Sequence, residues 1–290
     1  MPRTKTVRLH MPQWQGGNNE NYPLGSDILA WLAPHNDEHT EIRVPVEHYH
    51  PDDSPDRGVS HRHALLSQLR SAAQALANAA PDRVVTFGGD CLVEQAPISY
   101  LNNRYEGNLG VLWIDAHPDI KTPEEWSNAH TMVLGNLLGE GDAEFSGEVA
   151  RHLRPSHVMY AGLREVGLTE QETEVIDRLG LRVASPESLA TDSSAILDWI
   201  EEAEFDHIAI HLDLDVLDPK LFRSVLFAEP EPEIDWMAMY PVGKMTFSQV
   251  SRVMDDVART VDVVGLGICE HLPWDAINLK KALAGFPILD

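Results

Sequence analysis

The segment Val111-Leu112-Trp113-Ile114-Asp115-Ala116-His117-Pro118-Asp119 constrains the fold more than any other. Four apolar residues run directly into Asp-x-His-x-Asp. A short apolar run bounded by turn residues reads as a strand buried on both faces, the habit of parallel sheets. Strand side chains alternate, so Asp115, His117 and Asp119 are expected on one face. The strand should end near Pro118, whose nitrogen cannot donate to a ladder. Two carboxylates and an imidazole then collect at the carboxyl end of a buried strand, where open α/β sheets bind ligands. Unpaired buried charges cost several kcal/mol each, so a positive partner is expected among them.

The rest of the chain alternates in keeping with that strand. Further strands are expected at 5–10, 41–46, 83–87, 157–161, 181–184, 207–213 and 261–268, with the central one at 109–115. Helices fall between them: a short one through Leu32 behind a Ser26 or Asp27 cap, 61–80, one through Leu101, one after a loop within 123–140, 169–179, 193–203 and 246–258. Ala64, Leu65, Leu69, Ala72, Ala73 and Leu76 share one helical face, and Thr169 and Glu172 are spaced as a capping box. Pro45 places the second strand near an edge. Residues 11–25 and 48–60 read as loops, and Lys220 to Tyr240 as a long excursion rich in Pro and Glu. His35, His39, His48, His50, His61 and His63 match no metal spacing and are assigned to loop or surface roles. About eight strands with intervening helices imply an α/β fold with one parallel sheet flanked by helices. No linker or internal repeat is visible, so residues 1–290 are read as one domain.

Charge and composition narrow the function. Lys and Arg number 22 against 46 Asp and Glu, a formal charge of −24. That balance argues against nucleic acid as a partner and suits a cationic substrate. No stretch approaches the run of about 18 apolar residues expected of a membrane span, so no membrane partner is expected. The N-terminus lacks the apolar core of a leader peptide, and Cys91 and Cys269 are too few for a disulfide framework. A cytoplasmic protein is expected.

Three strand ends carry polar clusters: Gly88-Gly89-Asp90-Cys91, the central Asp115-x-His117-x-Asp119, and His211-Leu212-Asp213-Leu214-Asp215-Val216-Leu217-Asp218-Pro219. In the third, Ile208-Ala209-Ile210 leads into Asp213 and Asp215, again alternate residues of a strand. Each cluster alone can be a turn or a cap. Together they gather carboxylates that repel one another unless a cation intervenes. Four Asp and one His suit hard or borderline divalent ions such as Mn²⁺. Bridging carboxylates allow a pair of ions, which lowers the pKa of a shared water.

In these motifs the chain resembles the arginase, or ureohydrolase, family, whose pattern runs Gly-Gly-Asp-His, Asp-Ala-His-x-Asp, Asp-x-Asp-x-x-Asp-Pro. The match spans roughly residues 80–275. It implies a three-layer α-β-α fold around a mostly parallel sheet, and two divalent ions, Mn²⁺ above all. It further implies hydrolysis of a guanidino or amidino C–N bond by a metal-bridging hydroxide. By position, one ion takes Cys91, Asp115, Asp119 and Asp213, the other Asp115, His117, Asp213 and Asp215, with Asp115 and Asp213 bridging. Ser127-Asn128-Ala129-His130 resembles the proton-shuttle segment, which gives His130 that role and sets Asn128 beside substrate. Gly267 to Pro273 resembles the segment whose Glu pairs with the guanidinium, here Glu270. Trimers or hexamers are implied as well.

Departures surround this core. Cys91 replaces the family's His, as in the Nω-hydroxy-L-arginine amidinohydrolase branch, which brings hydroxyarginine in as a candidate beside arginine. Lys121 stands near the usual Asn and points to an anionic group on the substrate. Gly162-Leu163-Arg164-Glu165-Val166-Gly167 resembles the family's Gly-Leu-Arg-Asp-x-Asp, with Glu165 at the substrate-facing acid and Gly167 where a second acid belongs. Glu229, Glu231 and Glu233 are read as solvated loop residues, and Cys269 and His271 receive no role. The competing readings are a non-catalytic metal-binding relative and a metallophosphoesterase. The latter lacks its Gly-Asn-His, since Gly135-Asn136 is followed by Leu137.

Overall fold

The computed structural model describes residues 4–47 and 54–286. His48 and His50 of the expected loop lie outside them. The strands are β1 (Thr6–Met11), β2 (Thr40–Arg43), β3 (Arg83–Gly88), β4 (Leu109–Ile114), β5 (Val158–Ala161), β6 (Arg182–Ala184), β7 (His207–Asp213) and β8 (Asp262–Cys269). They form one sheet in the order β2-β1-β3-β8-β7-β4-β5-β6, and every neighbouring pair is parallel.

The apolar runs are explained by helices on both faces. In β4, Leu109, Val111 and Trp113 enter one core with helices Arg62–Ala79, Gln95–Arg104 and Val133–Leu138. Leu112 and Ile114 enter the other, with helices Ser194–Ala203 and Phe247–Thr260. Each fully buried aliphatic contributes about 1.5–3 kcal/mol, so a strand that serves both cores has no polar positions to give. The result is the expected three-layer α-β-α arrangement, with β2 on the edge as Pro45 implied.

Several local expectations change. The first helix is Tyr22–Leu32, with Asn21 at its N-cap and a Pro in its first turn. Ser26 lies inside it, donating its hydroxyl to the Phe87 carbonyl rather than capping. The capping box is present as expected: Thr169 Oγ1 accepts from the Glu172 amide, and Glu172 Oε2 from the Thr169 amide. The segment after Cys91 begins as a 3-10 turn, Cys91–Glu94, before its α-helix. The short helices Ala143–Gly147, Pro186–Leu189 and Trp236–Met239 and the longer Trp274–Leu283 were not expected.

The largest change concerns the opening motif. β4 ends at Ile114, not near Pro118, and Asp115 and His117 lie in the turn beyond it. Asp119 takes a left-handed backbone, φ 51°. Likewise β7 ends at Asp213, and Asp215 sits in a 3-10 turn, Leu214–Val216. The acids converge through tight turns, not through strand alternation.

Candidate metal centre and cavity

Four adjacent strands, β3, β8, β7 and β4, end at one place. After β3, Gly89 lies so close to Gln13 that a Cβ would fall 1.7 Å from its carbonyl oxygen. Asp90 then spends its carboxylate on structure: it accepts from the amides of Gly16 and Leu92 at 2.9 and 3.1 Å and from Gln13 Nε2 at 3.0 Å. That fixes the N-terminal loop and turns Cys91 inward, its Sγ 3.1 Å from Asp213 Oδ2.

Beyond β4, Asp115 Oδ1 accepts from the His117 amide at 2.7 Å and Oδ2 from Trp113 Nε1 at 3.1 Å. His117 Nδ1 lies 3.2 Å from Asp215 Oδ2 and 3.5 Å from Asp115 Oδ1. The Asp119 carbonyl accepts from the amides of Leu134 and Gly135 at 2.9 and 3.1 Å, which anchors the turn on the next helix. Beyond β7, Asp213 Oδ1 accepts from the Asp215 amide at 2.6 Å. Every sequence-assigned ligand is therefore brought together. Donor atoms of Asp115, His117 and Asp215 lie within 4.8 Å of one another, as do those of Cys91, Asp115, Asp119 and His211.

The electrostatics of the cluster call for a cation. Asp115, Asp119, Asp213 and Asp215 are all buried. Burial, then the neighbouring acids, push Asp119 and Asp213 well above the carboxylate range. Burial pulls the His117 imidazole down, but Asp215 and Asp115 more than offset that and raise it well above its ordinary value. Buried atoms Asp119 Oδ2 and Asp215 Oδ1 have no hydrogen-bond partner among the described residues. Buried orphan oxygens are rare unless an ion or water completes them. This donor set, oxygen-rich with one imidazole and one thiol, fits divalent metal.

Glu270 closes the other side, from a left-handed backbone, φ 62°. It accepts from the Tyr22 hydroxyl, from the Cys91 amide at 3.2 Å, and lies 3.3 Å from His130 Nδ1. Burial lowers the His130 pKa, but the bond to Glu270 outweighs it and the net shift is upward. Tyr22 is buried, and burial followed by Glu270 pushes its phenol well up. Sequence reasoning missed Tyr22; its only signal was an aromatic in a Gly- and Asn-rich loop that also holds Trp14.

A cavity of about 680 Å³ opens over the cluster, reached by His117, Asp119, His130, Asp213, Asp215 and Glu270. Trp126, Phe227, Trp236 and Tyr240 form an apolar wall. Three of these come from the 220–240 excursion, whose Glu231 and Glu233 are exposed as expected. Asn128 lines the cavity and donates to the Gly17 carbonyl at 3.4 Å. Lys121 also lines it, but its Nζ is 2.9 Å from Glu172 Oε1. Glu165 is exposed and outside the lining, so the structure does not bring it to the site.

A profile of the arginase family matches residues 26–285. The chain belongs to the arginase family. Among curated relatives, the arginase of Bacillus caldovelox is 29% identical over 231 residues, covering 68% of this chain and 74% of that one. The N(omega)-hydroxy-L-arginine amidinohydrolase of Streptomyces lavendulae is 28% identical over 202 residues, covering 69% and 64%. This arginase-family chain spans only 46% to 61% of the length of the Staphylococcus aureus arginases it matches. Among solved structures, Entamoeba histolytica arginase in complex with L-ornithine superposes with TM-score 0.77 at 19% identity, covering 94% of this chain and 93% of that one. That likeness is one of fold. Among the described residues no helix is long and apolar enough to cross a membrane.

Proposed function

We propose that this chain is a binuclear-metal amidinohydrolase that cleaves the C–N bond of a small guanidino compound, releasing urea or a urea-like product and an amine. The observation that carries this reading is Glu270. Its carboxylate is held from three sides and faces the same cavity as the acid cluster. A guanidinium is the planar, multi-donor cation that such a carboxylate pairs with.

Cys91, Asp115, Asp119 and Asp213 would hold one divalent ion and Asp115, His117, Asp213 and Asp215 the other, Mn²⁺ being our first choice. Bound there, the ions supply an activated water at neutral pH. The chain's own residues do the rest. Glu270 orients the guanidinium. The buried acids favour a cationic substrate over a neutral one. His130, at Nδ1, holds a proton that it passes toward the leaving nitrogen as the C–N bond breaks. The apolar wall excludes water from the tail of the substrate.

The cavity also speaks to the tail. Lys121 is the only Lys or Arg among its described lining residues, and Glu172 neutralises it. No cation is left for an α-carboxylate. This replaces the anionic partner expected for Lys121 and favours guanidino compounds with an amine or apolar tail. A second reading, hydroxyarginine, is favoured by the Streptomyces relative. One domain, a cytoplasmic location and a homo-trimer or hexamer complete the proposal.

The test is a panel assay. The protein is incubated with Mn²⁺ and arginine, hydroxyarginine, agmatine, guanidinobutyrate or formimidoylglutamate, and urea or the corresponding amide is measured. Agmatine is expected to turn over fastest. No turnover of any compound with Mn²⁺, Co²⁺ or Zn²⁺ would sink the hydrolase reading in favour of a non-catalytic relative.

A further inference from the structure

Beneath the cavity floor lies a group that the hydrolase reading leaves mostly unused. Cys269, the last residue of β8, places its Sγ 3.5 Å from Cys91 Sγ and 4.0 Å from His211 Nε2. All three residues are buried, and donor atoms of the three lie within 4.8 Å of one another. His211 sits on β7, two residues before Asp213, with its ring stacked on Trp113 at 3.7 Å and 17°. Its Nε2 is 3.9 Å from Asp115 Oδ2, while its Nδ1 has no hydrogen-bond partner among the described residues.

The separations are those of a coordination polyhedron. An ion held by sulfur at about 2.3 Å and nitrogen at about 2.0 Å in a tetrahedron sets S···S near 3.8 Å and S···N near 3.5 Å. The observed S···S of 3.5 Å and S···N of 4.0 Å each lie within about half an ångström of those values. Asp213 Oδ2, 3.1 Å from Cys91 Sγ, is at hand as a fourth donor. The two thiols come from neighbouring strand ends, β3 and β8, and the imidazole from β7 on the far side of β8, so the sheet itself presents three donors to one point.

We propose that Cys91, Cys269 and His211 form a soft-metal site, so that the ion on the Cys91 side is held from below by two sulfurs and an imidazole, which take the places given above to Asp115 and Asp119 and leave those carboxylates to the harder position. Thiolates select zinc-like ions, whereas carboxylate and water suit manganese. The centre is then asymmetric: a Zn²⁺-preferring position at Cys91, and a harder, oxygen-rich position at His117 and Asp215. The inference rests on the hydrolase reading only in taking Cys91 as a ligand, and metal binding is read without turnover, so either can fail while the other stands.

The test uses the full chain, stripped of metal under reducing, oxygen-free conditions and titrated with Co²⁺. Thiolate ligation gives a near-ultraviolet sulfur-to-cobalt charge-transfer band that scales with the number of sulfurs. The wild type should show it, Cys269→Ser and Cys269→Ala should retain about half its intensity, and Asp215→Asn should keep it whole. The Zn²⁺-over-Mn²⁺ preference should fall about tenfold or more in both Cys269 variants, with far-ultraviolet circular dichroism confirming that each is folded. Equal intensity in wild type and a folded Cys269 variant overturns the proposal. So does cobalt binding without the band, or thiols that disappear into a Cys91–Cys269 disulfide even under reductant.

Discussion

The Tyr22 hydroxyl donates to Glu270 Oε2, joining the first helix to the end of the last strand across 248 positions of sequence. The phenol occupies Oε2, while Oε1 faces the Cys91 amide and His130 Nδ1, so the hydroxyl sets the orientation of the whole carboxylate. Tyr22→Phe removes one hydrogen bond to a charged acceptor, about 1.5–3 kcal/mol. The expected result is a fall of about 10- to 100-fold in kcat/KM for the best guanidino substrate, with unchanged metal content. Steady-state kinetics beside elemental analysis check this, and unaltered kcat/KM would remove Tyr22 from the site.

Metal should be a large part of this protein's stability, because the acid cluster repels itself without it. At a metal concentration about 100 times Kd, linkage adds about 2.7 kcal/mol, or about 4–5 °C in Tm for a chain of this size. Asp119→Asn removes one buried charge, so the variant should be more stable than wild type after chelation and gain less on adding metal. Scanning calorimetry with and without chelator measures both. A metal-free Asp119→Asn that melts below wild type would contradict the repulsion argument.

Glu94 gives a pH signature of its own beneath the strand ends. It lies against Gly267, where a Cβ would fall 1.9 Å from its carboxyl carbon, and its Oε1 has no partner among the described residues. Burial pushes its carboxyl from the ordinary 4.5 to about 8. Between those values the folded state holds a proton that the unfolded state has lost. Stability therefore falls as pH rises through that window, by about 1.4 kcal/mol per unit at most. Glu94→Gln should flatten the slope. Urea unfolding at pH 5 and pH 8 tests the sign, since the advantage of Gln over Glu must grow toward the higher pH.

Glu172 both caps its helix and neutralises Lys121. Glu172→Gln keeps the cap, because Gln serves equally at that position, and releases the ammonium into the cavity. The preference for guanidinobutyrate over agmatine should rise about tenfold or more, the scale of one charged hydrogen bond. An unchanged ratio would mean that Lys121 does not face the tail of the substrate.

The fold was legible because burial on both faces leaves an unmistakable mark: Val111 to Ile114 and Ile208 to Leu212 have no polar residue to spend except His211, which stacks on Trp113. The residues of the acid cluster were legible as motifs, yet they converge through turns beyond the strand ends and not through strand alternation. Asp119 reaches the cluster because a left-handed residue reverses the chain, and backbone sign is invisible in sequence. Lys121 looked free because its partner, Glu172, belongs to the distant helix Glu170–Leu179. Trp236 and Tyr240 carry no signal of their own in a stretch dominated by Pro and Glu, and only the closure of that excursion over the cavity brings them to its wall. His211 was in view within its motif, but nothing local says that Cys269 lies beside it.

The position of β8 between β3 and β7 has a consequence for how the protein is made. Before residue 262 emerges, the sheet has only two separate halves, β2-β1-β3 and β7-β4-β5-β6. The last strand zips them together, and with it come Cys269 and Glu270. Cys91 cannot meet Asp213 until that happens. A nascent chain thus holds the acids that follow β4 and β7 together in one half, while Cys91 waits at the edge of the other. Uniting the acids with Cys91 and Glu270 becomes the closing act of folding, and a chain cut short before β8 would keep the acid cluster without the thiol and the carboxylate that complete it.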